Sequence, residues 1–233
     1  MKLCVIPARG GSKRIPHKNI KNFCGKPMIA YSIEAAIKSR CFDKIIVSTD
    51  DDEVAEIATK YGAEVPFMRP DELANDHAGT LSVIKHAIEW FEINEIVPGY
   101  VCCLYATAPF VQSQAIQDAY EQFKISQADY CFTVTSYSFP IQRAIKLTKY
   151  NRVEMYNPQF FTKRSQDLEE AYHDAGQFYW GKTDAFKAEK LIFSSDASPF
   201  ILPRYLVQDI DTEEDWTQAE LMHQVLQKGG KLN

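Results

Sequence analysis

Ile6-Pro7-Ala8-Arg9-Gly10-Gly11-Ser12-Lys13-Arg14-Ile15-Pro16-His17-Lys18-Asn19 follows directly on an apolar run at residues 3–6, and its reading decides that of the whole chain. Gly10 and Gly11 allow the backbone to turn its N–H groups inward with no Cβ in the way, while Arg9, Lys13, Arg14 and Lys18 crowd positive charge into one short turn. Such a turn suits a polyanion. It leaves the carboxyl end of a buried-type strand, where open α/β sheets bind their ligands, so it reads as a phosphate-holding loop in preference to a solvated basic turn. The two named glycine motifs do not fit: neither G-x-x-x-x-G-K-[ST] nor G-x-G-x-x-G is present, and Pro16 delays any helix. The chain carries a formal net charge of −5, so the positive charge is local, and the expected partner is a small anion and not a nucleic acid.

Outward from this loop, hydrophobic periodicity predicts alternating strands and helices. A strand at 3–8 precedes the loop, and a helix starts at Pro27 with Met28, Ile29, Ile33, Ala36 and Ile37 inward. A strand at 44–49 leads to a helix capped by Asp50, Asp51 and Asp52, with Val54, Ile57, Ala58 and Tyr61 inward. A short strand at 64–67 is followed by a helix capped by Thr80, carrying Val83, Ile84, Ala87, Ile88 and Phe91. A strand at 100–106, a helix at 114–123 and a strand at 129–135 complete a three-layer, doubly wound, mostly parallel α/β sheet. Between 136 and 174 the alternation breaks, which reads as an excursion from the sheet. An aromatic strand at 177–181, an extended piece at 199–203 and a closing helix at 213–227 follow, the helix with Trp216, Ala219, Leu221, Met222, Val225 and Leu226 inward.

With 233 residues the chain is expected to form a single domain, 1–233, with an inserted segment at about 136–176. No apolar run approaches the roughly 20 residues of a membrane helix, and residues 1–3 lead straight into a strand, so neither a membrane partner nor a signal peptide is expected and the location reads as cytoplasmic. Six cysteines without C-x-x-C spacing read as buried thiols, not as zinc ligands or disulfides.

A second concentration of chemistry lies near the carboxyl end. Asp209 and Asp211 flank Ile210, and in extended backbone residues two apart project to one side, so both carboxylates can converge. Two such charges repel unless a cation lies between them, and Mg²⁺ prefers one or two carboxylates completed by phosphate oxygens. Helix capping accounts for Thr212 and Glu213 but not for Asp209, which precedes the cap.

The opening stretch resembles the first signature of the acylneuraminate cytidylyltransferase family, enzymes that join CTP to an acidic nine- or eight-carbon sugar. Asp209-Ile210-Asp211-Thr212-Glu213-Glu214-Asp215 resembles that family's metal signature, and Arg69-Pro70-Asp71-Glu72-Leu73-Ala74-Asn75-Asp76 with Ala78 and Thr80 resembles its cytosine loop. The resemblance implies a nucleotide-diphospho-sugar transferase type of fold. It also implies a nucleotide site of Ala8, Arg9, Gly10, Gly11, Ser12, Lys13, Lys18, Asn19, Arg69, Asp76, Ala78 and Thr80, catalytic roles for Arg9, Lys18, Asp209 and Asp211, and Mg²⁺ on the two aspartates. Leu104-Tyr105-Ala106-Thr107-Ala108-Pro109 departs from the Leu-Gln-Pro-Thr-Ser-Pro of sialate-activating members. With the run from Lys163-Arg164 to Phe178-Tyr179-Trp180, it looks like the branch that activates pseudaminic acid. By that match Tyr105, Thr107, Arg164 and Gln177 meet an acidic nine-carbon sugar. Phe193 and Phe200 read as core, or as the lining of an apolar pocket. The excursion resembles the family's dimerisation element, which implies a homodimer whose sites are completed across the interface, with Arg164 serving the partner's site. Rival readings are another acidic sugar (legionaminic, sialic or Kdo-type), a non-catalytic nucleotide-binding protein, and a nicotinamide-dependent oxidoreductase that the missing glycine fingerprint disfavours.

Overall fold

The computed structural model describes residues 1–75 and 78–232. Its first strand, β1 (Lys2–Pro7), shows why a sheet forms here: Leu3 and Val5 point into one apolar cluster, Cys4 and Ile6 into another, and all four are fully buried. A strand apolar on both faces needs helices on both. Five more strands join it in a single sheet: β2 (Lys44–Ser48), β3 (Tyr100–Leu104), β4 (Tyr130–Ser136), β5 (Tyr172–Lys182) and β6 (Ala197–Ile201). The order across the sheet is β6-β4-β5-β3-β1-β2. β5 runs antiparallel to both of its neighbours, and every other pairing is parallel.

One face is covered by α1 (Met28–Ser39), α2 (Asp52–Lys60) and α4 (Ser113–Ser126), the other by α3 (Thr80–Ile93) and the short α5 (Thr183–Lys187). The α/β, three-layer, mostly parallel reading therefore holds. α2 starts where Asp51 Oδ1 accepts the N–H groups of Glu53 and Val54, at 2.9 and 3.1 Å. A third cluster lies outside the sheet and gathers Ile15, Phe23, Met28 and Phe110 with Leu206, Ile210, Trp216, Ala219 and Leu226, the last three from α6 (Glu213–Lys228). Phe23 meets Trp216 edge to face at 5.4 Å. Both ends of the chain are thus bolted to one core. Among the described residues no helix is long and apolar enough to cross a membrane.

Several local expectations are corrected. Residues 64–67 form no strand, only isolated bridges of Ile46 to Glu64 and of Thr49 to Met68; Pro66 has no N–H to continue a ladder. Thr80 is the first residue of α3 and not its cap; Gly79 holds the cap position, and the Thr80 hydroxyl bonds to Tyr105 instead. On α6 the buried stripe is Trp216, Ala219, His223 and Leu226, the 3.6-residue repeat, which leaves Leu221 and Val225 exposed and puts His223 inside; Ile37 on α1 is likewise exposed. Phe193 is exposed and leans on Phe132, so it is not core, while Phe200 packs against the cluster of Cys4 and Ile6. Five of the six cysteines are buried, and burial pushes the Cys4, Cys102 and Cys131 thiols up.

Residues 137–171 leave the sheet and bury no residue. They fold into short 3-10 turns and a small hairpin pairing Ile145–Leu147 with Val153–Met155.

Candidate active site

The third cluster positions the chemistry. Ile15, in the basic loop after β1, and Ile210, between the two aspartates before α6, are each 1% exposed and share that cluster. Lys18 Nζ donates to the Ile210 carbonyl at 2.7 Å and lies 3.3 Å from Asp211 Oδ1; Arg14 reaches the same oxygen at 2.9 Å. Stretches almost 200 positions apart in the chain therefore meet, as the hydrogen bond at a separation of 192 shows. Burial, then the like charge of Asp211, raises the Asp209 carboxyl above its usual range, against the opposing pull of Lys18. Asp215 differs: it closes the capping box with Thr212, and those hydrogen bonds lower its pKa. Capping explains Asp215 and leaves Asp209 and Asp211 for another task.

A cleft of about 220 Å³ opens at the carboxyl ends of β1 and β3 beside the start of α3. Arg9, Ser12, Lys18, Asn19, Arg69, Ala78 and Thr80 line it, so most of the expected nucleotide residues converge. Each is held. Asn19 Nδ2 donates to the Arg9 carbonyl at 2.9 Å, and Ala8 N–H to the Ser48 carbonyl at 2.9 Å. Arg69 is buried, its Nε 3.1 Å from Ser48 Oγ and a terminal nitrogen on the Ser48 carbonyl. Burial lowers the pKa of this guanidinium to about 10, with Asp50 opposing the change.

The loop does not present all its amides inward. Gly10 N–H donates to Asp50 Oδ1 at 3.0 Å and Ser12 N–H to the Gly10 carbonyl at 2.8 Å. Gly10 is required for close approach: a Cβ there would lie 2.3 Å from Asp51 Oδ2. Gly11 has open space around its Cβ position. Lys13, on the same loop, is not among the residues lining this cleft. Asp76 lies outside the described residues.

A larger cleft, about 560 Å³, adjoins the first and shares Lys18, Tyr105 and Thr107 with it. Asp209 and Asp211 are in its wall, with His173, Asp174, Gly176 and Gln208. Of the expected sugar contacts, Tyr105 and Thr107 stand at the junction. Gln177 is buried with its amide donated to the Leu206 carbonyl, and Arg164 lies in the excursion, paired with Asp167 at 2.9 Å; neither lines the cleft. His173, Asp174 and Gln208 carry no role in the sequence reading. The only local signal was Asp174 two residues before Gly176, which makes a turn.

Two carboxylates with cations of the basic loop facing them are a donor set that fits a hard cation completing its shell from an anionic ligand.

The sheet order with its one reversed strand defines a nucleotidyltransferase-type α/β fold. A solved structure of CMP:2-keto-3-deoxy-manno-octonic acid synthetase complexed with CTP shares it, with a TM-score of 0.69 at 17% identity over 97% of this chain and 99% of that one. Residues 3–222 match the cytidylyltransferase family, and the chain belongs to it. It is 48% identical to pseudaminic acid cytidylyltransferase of Campylobacter jejuni subsp. jejuni serotype O:23/36 (strain 81-176), covering 96% of both chains. It is 32% identical to CMP-N,N'-diacetyllegionaminic acid synthase of Legionella pneumophila subsp. pneumophila (strain Philadelphia 1), covering 97% of both.

Proposed function

We propose that this protein couples CTP to pseudaminic acid, giving CMP-pseudaminic acid and pyrophosphate for surface glycan or flagellin glycosylation, and that it does so in the cytoplasm. The observation that carries the reading is the junction of the two clefts, where Lys18 lines both and touches Asp211. The smaller cleft suits the nucleotide: the buried Arg69 and the backbone near Ala78 face the base, Arg9 and Lys18 neutralise the triphosphate and the Ser12 hydroxyl donates to it. The larger cleft takes the sugar. Its anomeric oxygen attacks the α-phosphorus in line, the new P–O bond forms as the bond to the β-phosphate oxygen breaks, the hydroxyl proton passes to water, and pyrophosphate departs along the basic loop. Positioning and charge stabilisation supply the rate, with no covalent enzyme intermediate. Asp209 and Asp211 would hold Mg²⁺, which when bound neutralises phosphate oxygens and favours the ionised hydroxyl. The raised pKa of Asp209 suits a carboxylate designed to be compensated by such a charge.

The exposed apolar side chains of residues 137–171, among them Phe139, Leu147 and Phe161, support a homodimer. In it Arg164, which lines neither of its own two clefts, serves those of the partner. The likeness to a legionaminic acid synthase keeps a second acidic sugar in play. One assay separates the readings: pyrophosphate release from CTP, with and without Mg²⁺, across pseudaminic, legionaminic, sialic and Kdo-type acids. Metal-dependent release fastest with pseudaminic acid is expected. Faster release with another acid overturns the choice of sugar, and no release with any of them overturns the reaction.

A further inference from the structure

An irregularity in β5 builds one wall of the larger cleft. β5 pairs with β4 through Asp174 opposite Val134 and again from Tyr179 opposite Phe132, so residues 175–178 stand against Thr133 alone. The excess chain is turned by Gly176, at φ +61°, whose N–H donates to Asp174 Oδ1 at 2.9 Å. Asp174 Oδ2 accepts from the Tyr179 hydroxyl. Tyr179 is buried and packs edge to face on Tyr105 at 5.5 Å; the Tyr105 hydroxyl in turn lies 3.2 Å from the Thr80 hydroxyl in the nucleotide-side cleft. The Tyr179 proton is committed to the carboxylate.

Asp174 is thus aimed by two donors, and a carboxylate has acceptor capacity for about two more. It lines the same cleft as Asp209 and Asp211. Resting on the cytidylyltransferase reading, we propose that Asp174 selects and orients the acidic sugar, accepting a hydrogen bond from one of its N–H or O–H groups while its charge turns the sugar's own carboxylate away. A substrate anion entering this cleft then has one favoured orientation, with its donors toward β5 and its carboxylate elsewhere. Tyr179 donates to Asp174 and is itself held by packing on Tyr105, which fixes the rotamer of Asp174, so Tyr179 is a positioning residue.

The test compares the full-length protein with Asp174→Asn, which keeps an oxygen for Gly176 or Tyr179 but loses the charge, and with Tyr179→Phe. The substrates are pseudaminic acid and analogues in which one hydroxyl or acylamido group is replaced by hydrogen. For Asp174→Asn, kcat/KM for the sugar is expected to fall by about 10- to 100-fold, the range of a hydrogen bond to a charged group. KM for CTP and Tm should stay at the wild-type values. One analogue should lose rate in the wild type and lose little more in the variant, which identifies the group that is read. Tyr179→Phe should show a smaller loss of the same pattern, and it alone decides if Asp174→Asn fails to fold. Equal kcat/KM across the panel for wild type and variant overturns the proposal, as does a loss that appears equally in KM for CTP and in Tm, which marks a structural role. A wild type silent with every acid overturns the cytidylyltransferase reading instead, and this proposal with it.

Discussion

Two stretches of this chain depart from the sheet, and they stand in opposite relations to its core. Residues 8–27 leave β1 and return with Ile15 and Phe23 buried against Ile210 and Trp216, so a loop rich in positive charge is held by apolar contacts with the far end of its own chain. Residues 137–171 leave β4 carrying many more large apolar side chains, yet Phe139, Leu147, Tyr150 and Phe161 are each at least 70% exposed. The difference teaches that a cationic loop can be preorganised when its few apolar residues are anchored. An apolar segment with nothing to pack on within its chain asks for a surface outside it. On the proposed function the first stretch serves the nucleotide within one subunit, and the second fits completion by a second copy.

The largest effect that would break this comparison is at the aspartate pair. Asp211→Ala is expected to lower turnover by about 10³-fold or more with Tm retained, read by pyrophosphate release and thermal melting; normal turnover would remove the metal assignment. Arg69→Lys keeps the charge but loses the forked contact with Ser48, and should raise KM for CTP by about tenfold with a lesser effect on the sugar. Phe139→Ser combined with Leu147→Ser sharpens the other side: light scattering should show a shift from dimer to folded monomer, while an unchanged mass would show that the excursion does not hold subunits together. Gly10→Ala places a Cβ against Asp51 and should cost about 1–3 kcal/mol in chemical denaturation, a test of whether the basic loop is as rigid as its packing implies.

The smallest effect concerns Asp209. Its carboxyl is raised by burial and by Asp211, so the ionised form disfavours the fold. In metal-free buffer Asp209→Asn should therefore melt above the wild type at neutral pH, and the gap should close as falling pH protonates Asp209 in the native wild type. A variant that melts lower at neutral pH would contradict the assignment.

Much of this was legible in the residues. The strands at 3–8, 44–49 and 100–106 and the helices with Val54 or Val83 inward declare themselves by period, and the basic loop and aspartate pair declare themselves by charge. The misreadings share a cause. Pro66 ended a strand that apolar content alone suggested, Thr80 gave its hydroxyl to Tyr105 and not to a cap, and Gly10 faces Asp51 across a contact no window of sequence contains. Gln177 looked like a polar group offered to a ligand, but its amide is committed to Leu206.

By itself, then, the sequence determined which segments are strand or helix, where positive and negative charge are concentrated, and the alternation that covers a parallel sheet on both faces, because each is a local property of neighbouring residues. Only the tertiary structure decided that β5 runs backwards through the middle of the sheet, that its irregular pairing carries Asp174 into a cleft, and that Ile15 and Ile210 share one cluster so that Lys18 reaches Asp211. The physical reason is that burial and strand pairing act between residues far apart in the chain, and the partner of a side chain is set by what the whole fold brings beside it.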